Sequence, residues 1–236
     1  EILSSRREYT KINPFVVLLG KGDHEVTSSW TDRYNAEFAT TLAITRSNIT
    51  LVGTGKDTTT ILGGFVIYNK TNITFKQMTV TNTNGPGIDT SDAGVEMFDT
   101  TVVTNNNDKY NVYAALCVYS NSTVVARRCE FTLVALTELK WRQATMGLVY
   151  VDNSTGHFTN CTMNNSETSG IYADNDATVH LHGDATAIHS NFNEGIFAKN
   201  SSRVLIHLPS HHNTIYNNEN EDRYTESGGT ITNVDT

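Results

Sequence analysis

Residues 170–194 read GIYADNDATVHLHGDATAIHSNFNE. The stretch opens on glycine and an apolar residue, reaches Asn175, alternates apolar and polar side chains through Val179 and Leu181, and closes in a polar turn. The segment before it, GLVYVDNSTGHFTNCTMNNSETS from Gly147, follows the same plan. So does the segment after it, GIFAKNSSRVLIHLPSHHNTIYNNENE from Gly195; Asn153 and Asn200 stand where Asn175 does. Self-similarity at a period of roughly two dozen residues means stacked, equivalent units. Period-2 alternation in short runs rich in β-branched and aromatic residues makes those units strands. One such unit cannot bury its own apolar face. Stacked on neighbours about 4.8 Å away, it contributes to a continuous interior.

The pattern extends upstream in looser form. LAITRSNITLVGTGKDTTTI from Leu42, GGFVIYNKTNITFKQMTVTNTNGP from Gly63, GIDTSDAGVEMFDTTVVTNNND from Gly87 and ALCVYSNSTVVARRCEFT from Ala115 read as earlier coils. The architecture that fits is all-β: a single-stranded right-handed parallel β-helix, a solenoid of about three short strands per coil. Met78, Cys129 and Cys161 fall at equivalent points of their coils and are expected to form an inward ladder of soft apolar side chains. The expected layout is one β-helix domain over 1–236. Residues 1–41 form an N-terminal cap and first coil, with Trp30 closing the top of the core; 42–216 form the repeated coils, and 217–236 an acidic C-terminal cap.

Composition agrees. Thr, Asn and Ser are abundant, proline occurs only 3 times, and blocks of strong helix formers are absent. A net charge of −8 argues against a phosphate-backbone partner, so no nucleic acid is expected. The local exception is a basic cluster, Arg127 and Arg128, then Lys140 and Arg142. No apolar run approaches the ~20 residues of a membrane span. The polar opening, EILSSRREYT, carries no visible signal peptide. Cys117, Cys129 and Cys161 are odd in number and lack a CxxC pair, which favours buried thiols in a reduced, cytoplasmic setting. Asn-x-Ser/Thr triplets at Asn48, Asn69, Asn72, Asn121, Asn153, Asn160, Asn164 and Asn200 leave an extracellular or surface location open.

ITRSNITLVGTGKDTTTILGGF, NITFKQMTVTNT and the paired HLHGDATAIHSN and RVLIHLPSHHNTIYNN resemble right-handed parallel β-helix repeat proteins abundant in marine algae and related protists. SNITLVGTG is also similar to an early coil of the pectate-lyase-like superfamily. The resemblance covers about Ile12 to Val234 and implies the fold. It implies little about activity, because that superfamily spans lyases, hydrolases, epimerases and viral tailspikes. One departure stands out. TLVALTELKWRQATM, after Phe131, is longer than the matching turn of neighbouring coils. An insertion over 133–146 on one face is a candidate binding element, with Trp141 beside Lys140 and Arg142.

No catalytic motif stands out. The Walker loop, the nucleophile elbow and the signature motifs of pectate lyases, polygalacturonases and alginate epimerases are missing, and no cofactor is implied. Asp89, Asp92, Glu96 and Asp99 lie in one coil, and Asp152, Asp174 and Asp176 at related points of later ones; such carboxylates read first as solvated turn residues. If Val179 and Leu181 point inward, His180 and His182 point outward about 6.5–7 Å apart. His207 then stacks on His182 from the next coil, which makes His180, His182 and His207 the candidate metal ligands. Arg127, Arg128, Lys140, Trp141, Arg142 and Tyr119 are the candidate binding residues, with Tyr110 and Tyr113 as further sugar-stacking rings. Two expectations follow: a non-catalytic solenoid whose face binds a polysaccharide or another protein, or a carbohydrate-active lyase or hydrolase with a groove near the insertion. The oligomeric state is left open.

Overall fold

The computed structural model describes residues 9–31, 37–104, 114–134, 147–208 and 215–235. Regular structure among the described residues is β throughout. The strands stack in parallel as a β-solenoid of about 7 turns. Each turn contributes a strand to each of three faces. The first face is a sheet of 8 strands running from Thr41–Ile44 and Gly64–Tyr68 to Ile196–Ala198 and Arg223–Thr225. The other two faces share a 15-stranded sheet, because Ile73–Asn82 and Gly94–Thr104 run through the corner between them. The second face includes Thr123–Arg127, Thr155–Thr159, Thr178–His182 and Arg203–His207. The third includes Glu130–Leu133, Thr162–Asn164 and Ala187–His189.

The corners are made by residues with positive φ. Gln77 and Asp99 turn the two long strands at φ 55° and 50°, and Arg128 and Asn160 turn the next two coils, both at 53°. The corner after the first face holds the asparagines that mark the repeat: Asn153, Asn175 and Asn200 take φ 46°, 47° and 48°. Asparagine tolerates this left-handed region because its short side chain bonds locally. The repeated Asn is thus the residue that lets the chain change direction.

Inside, equivalent positions line up in register. One file runs Phe75, Met97, Ala126, Phe158, Leu181, Ile206; its neighbour runs Ile73, Val95, Val124, Gly156, Val179, Val204. All but Gly156 are core side chains at most 1% exposed. Gly156 is the exception because Phe158 fills its space: a Cβ there would lie 2.6 Å from Phe158 Cε2. The expected ladder also forms. Met78 pairs with Thr100, and Cys129 and Cys161 follow in the next two coils, all buried. Thr100 interrupts the soft side chains and directs its hydroxyl to the Phe98 carbonyl. Cys117 is different. It lies on the outward side of the first face, in register with Asp89 and Tyr150, and is buried there.

At the N-terminal end, Phe15–Leu18 and Gly22–Glu25 pair in parallel with Ile49–Val52 and Thr59–Leu62 as a first coil. Trp30 does not sit over the end of the core. It stacks on Phe38 and meets the edge of Tyr68, with ring centroids 5.7 and 5.1 Å away, on the outer side of the first face. Among the described residues no helix is long and apolar enough to cross a membrane.

Candidate binding faces

The second face carries the histidines. Apolar positions of Thr155–Thr159, Thr178–His182 and Arg203–His207 point inward, so the alternate positions point out. His157 pairs in register with His180. With Leu181 opposite Ile206, His182 meets His207 one step further along. Two short histidine columns therefore lie side by side. Ring centroids are 4.4 Å apart for His157–His180 and 4.1 Å for His182–His207. Across the columns, His180 Nδ1 and His207 Nε2 approach to 3.0 Å, a hydrogen bond between imidazoles. One ring nitrogen each of His157, His180 and His182 lies within 4.8 Å of the others.

Electrostatics favours neutral rings here. Burial first, and then the neighbouring histidines and Arg203, bring His180 down to about 4. His157 is lowered by burial, then by His207 and Arg127, and His182 by burial, then by His207 and His157. Crowded, half-buried imidazoles cannot all accept a proton. His157 was not foreseen, although a signal existed: its strand, TGHFT, lies opposite TVHLH. The turn at Asn153 is one residue shorter than those at Asn175–Asp176 and Asn200–Ser201, where two successive residues have positive φ. Counting from the marker asparagine therefore puts His157 out of step with His180.

The first face carries an aromatic file. Tyr150, Tyr172, Phe197 and Tyr224 occupy one outward column over four coils. Tyr119, from the preceding coil, joins the file at its N-terminal end. Successive centroids are 5.4, 5.3, 4.8 and 5.2 Å apart from Tyr119 to Tyr224. Rings meet at tilted or edge-on angles, the favoured arrangement for aromatic quadrupoles. The column beside them is polar. Asp152 accepts from Asn175 Nδ2 and Asp174 from Asn200 Nδ2, both at 2.8 Å. Lys199 lies 3.6 Å from Asp174 and over the ring of Tyr172. Burial raises the Tyr119 and Cys117 pKa values, and burial with nearby Asp152 and Asp174 raises that of Tyr150, so all three stay protonated at neutral pH. Toward the N-terminal end of the same face, Trp30, Ala43, Thr45, Val66, Tyr68 and Lys70 line a shallow hollow.

Of the sequence-derived binding set, the described members Tyr119, Arg127 and Arg128 lie on different parts of the solenoid. Tyr119 belongs to the aromatic file on the first face. Arg127 lies on the second, its guanidinium over the Phe98 ring with Lys76 on the same ring. Arg128 turns the corner and grips Asp99 through two bonds, Nε–Oδ1 at 2.7 Å and Nη2–Oδ2 at 2.8 Å, which lowers the Asp99 pKa. Lys140, Trp141 and Arg142 of the insertion lie outside the described residues, as do Tyr110 and Tyr113.

No protein-family profile matches the chain, and no curated protein matches it either. The β-solenoid stands on the structure itself.

Proposed function

We propose that this protein is a non-catalytic interaction solenoid that binds a glycan chain along its aromatic face. The observation that carries the reading is the unbroken file of five rings from Tyr119 to Tyr224, spaced by one coil at each step. A polysaccharide is a linear ligand with apolar C–H patches and hydroxyls in alternation. The file offers a linear apolar surface, and the flanking Asp152, Asp174, Asn175, Lys199 and Asn200 offer donors and acceptors. The hollow at Trp30, Tyr68 and Lys70 continues the same chemistry. Kinship with the pectate-lyase-like superfamily, implied by SNITLVGTG, is compatible with a sugar ligand; its support is the stacked-coil architecture alone. Binding is preferred to turnover because two carboxylates beside the rings are already tied, Asp152 to Asn175 and Asp174 to Asn200 and Lys199.

Affinity electrophoresis against neutral and acidic algal polysaccharides tests this. At least one polysaccharide should retard the intact chain. The variant Tyr150→Ser/Tyr172→Ser, checked for its strand spectrum by circular dichroism, should lose most of the retardation. Retardation by none of them, or equal retardation of the variant, would remove the glycan reading. Shortening of the polysaccharide during incubation would replace binding by catalysis.

A further inference from the structure

Four of the chain's 8 histidines meet on one patch of the second face, contributed by three successive coils. Stacking of like residues explains why His180 follows His157 and His207 follows His182. It does not explain why the two columns overlap so that ring nitrogens from both converge. We propose that His157, His180, His182 and His207 form a binding site for one divalent transition-metal ion of the zinc, nickel or copper class.

The distances are close to those required. Two nitrogens bound to one zinc at about 2.0–2.1 Å stand about 3.3 Å apart in a tetrahedral site and never more than about 4.1 Å. His180 Nδ1 and His207 Nε2, at 3.0 Å, are joined by a hydrogen bond that an ion would replace, the shared proton passing to the other nitrogen of its ring. The nitrogens of His157, His180 and His182, within 4.8 Å of each other, need only a small rotation of partly exposed rings. The backbone positions are fixed by inter-strand pairing in the middle of a sheet, so the donors are held together before an ion arrives. An all-imidazole set selects among cations. It suits zinc, nickel and copper and offers nothing to calcium or magnesium, which seek oxygen. Arg127 and Arg203 disfavour added positive charge at His157 and His180, a cost that the nitrogen–metal bonds must exceed. The site faces away from the aromatic file, and neither reading depends on the other.

The test uses the untagged full chain, stripped with chelator and titrated calorimetrically with zinc, nickel or copper chloride, and with calcium and magnesium chloride as contrasts. The expected result is one transition-metal ion per chain with Kd on the order of micromolar or tighter, and no calcium or magnesium binding. His180→Ala/His182→Ala should weaken binding by more than about tenfold, about 1.4 kcal/mol or more, while His24→Ala/His189→Ala and His211→Ala/His212→Ala should not. If the first variant loses its strand spectrum, His157→Gln/His207→Gln removes the outer pair instead and should weaken binding similarly. Cobalt should give visible d–d bands that disappear with the same substitutions. Absence of stoichiometric binding to the intact chain would overturn the proposal. So would binding that survives these substitutions or follows His211 and His212.

Discussion

Core positions in this solenoid are tuned to their neighbours rather than to a consensus. Gly156 and Phe158 occupy the positions that hold Val179 and Leu181 one coil later. Large and small have been exchanged between two adjacent inward sites. Gly156→Val should therefore destabilise by about 1–3 kcal/mol through overpacking. Gly156→Val/Phe158→Leu, which recreates the next coil's pair, should melt above the single variant. Urea unfolding of both proteins measures the difference, and equal stabilities would mean that Phe158 has room to move. The thiol ladder makes a second demand. Cys161 is fully buried and in contact with Cys129, so Cys161→Asp places an unpaired carboxylate in the core and should cost about 3 kcal/mol or more. An unchanged melting temperature would contradict the inward assignment. The ladder was legible in advance because cysteine and methionine recur at matching points of RRCEF, TNCTM and KQMTV. Thr100 was not, since a threonine in a strand pattern reads as outward.

Strands and corners divide the information differently. The asparagine corners could be read directly, because few residues tolerate left-handed backbone and the sequence repeats one that does. Asn153→Ala should then cost about 1 kcal/mol, while Asn153→Gly should cost much less. Equal losses by thermal melting would show that Asn153 contributes through its side chain rather than through φ. Other corners are occupied by residues that give no signal: Gln77 and Arg128 have φ 55° and 53° with side chains common anywhere in a chain. Lateral register was also harder to read than period. His182 and His207 follow turns of equal length, so a count along the sequence puts them together. His157 follows a turn shortened by one residue, and only the strand pairing brings it opposite His180. The aromatic file escaped for a related reason. Tyr119 comes from a column two residues away from that of Tyr150, so no count along the chain makes them neighbours, although their rings meet at 5.4 Å.

At the scale of the whole molecule, a stacked sheet must end somewhere. Arg223–Thr225 covers the edge of Ile196–Ala198, and Thr230–Val234 covers that of Arg203–His207, with Ile231 packed against the core. These last strands are themselves mostly exposed, and Glu219, Glu221, Asp222 and Glu226 surround them with negative charge. Charge on an edge discourages a second chain from adding a strand. Removing residues 217–236 should leave the middle coils folded, since each touches mainly its neighbours, and should cause self-association through the uncovered strands. Sedimentation velocity on the truncated chain, beside the intact one, reads this directly; a truncated chain as monodisperse as the intact one would deny the tail a capping role.

The parallel pairing of coil upon coil also has a mechanical consequence. Hydrogen bonds between turns point along the solenoid axis, so tension between its two ends loads them in line and a few at a time. A strand sheared lengthwise would instead load its whole ladder at once. The chain should yield by peeling, one turn after another from an end, in low-force steps. Each released turn of roughly two dozen residues would add about 80 Å of contour. An ion gripped by side chains from three turns would act as a rivet in that spring, halting the peeling where the histidines lie.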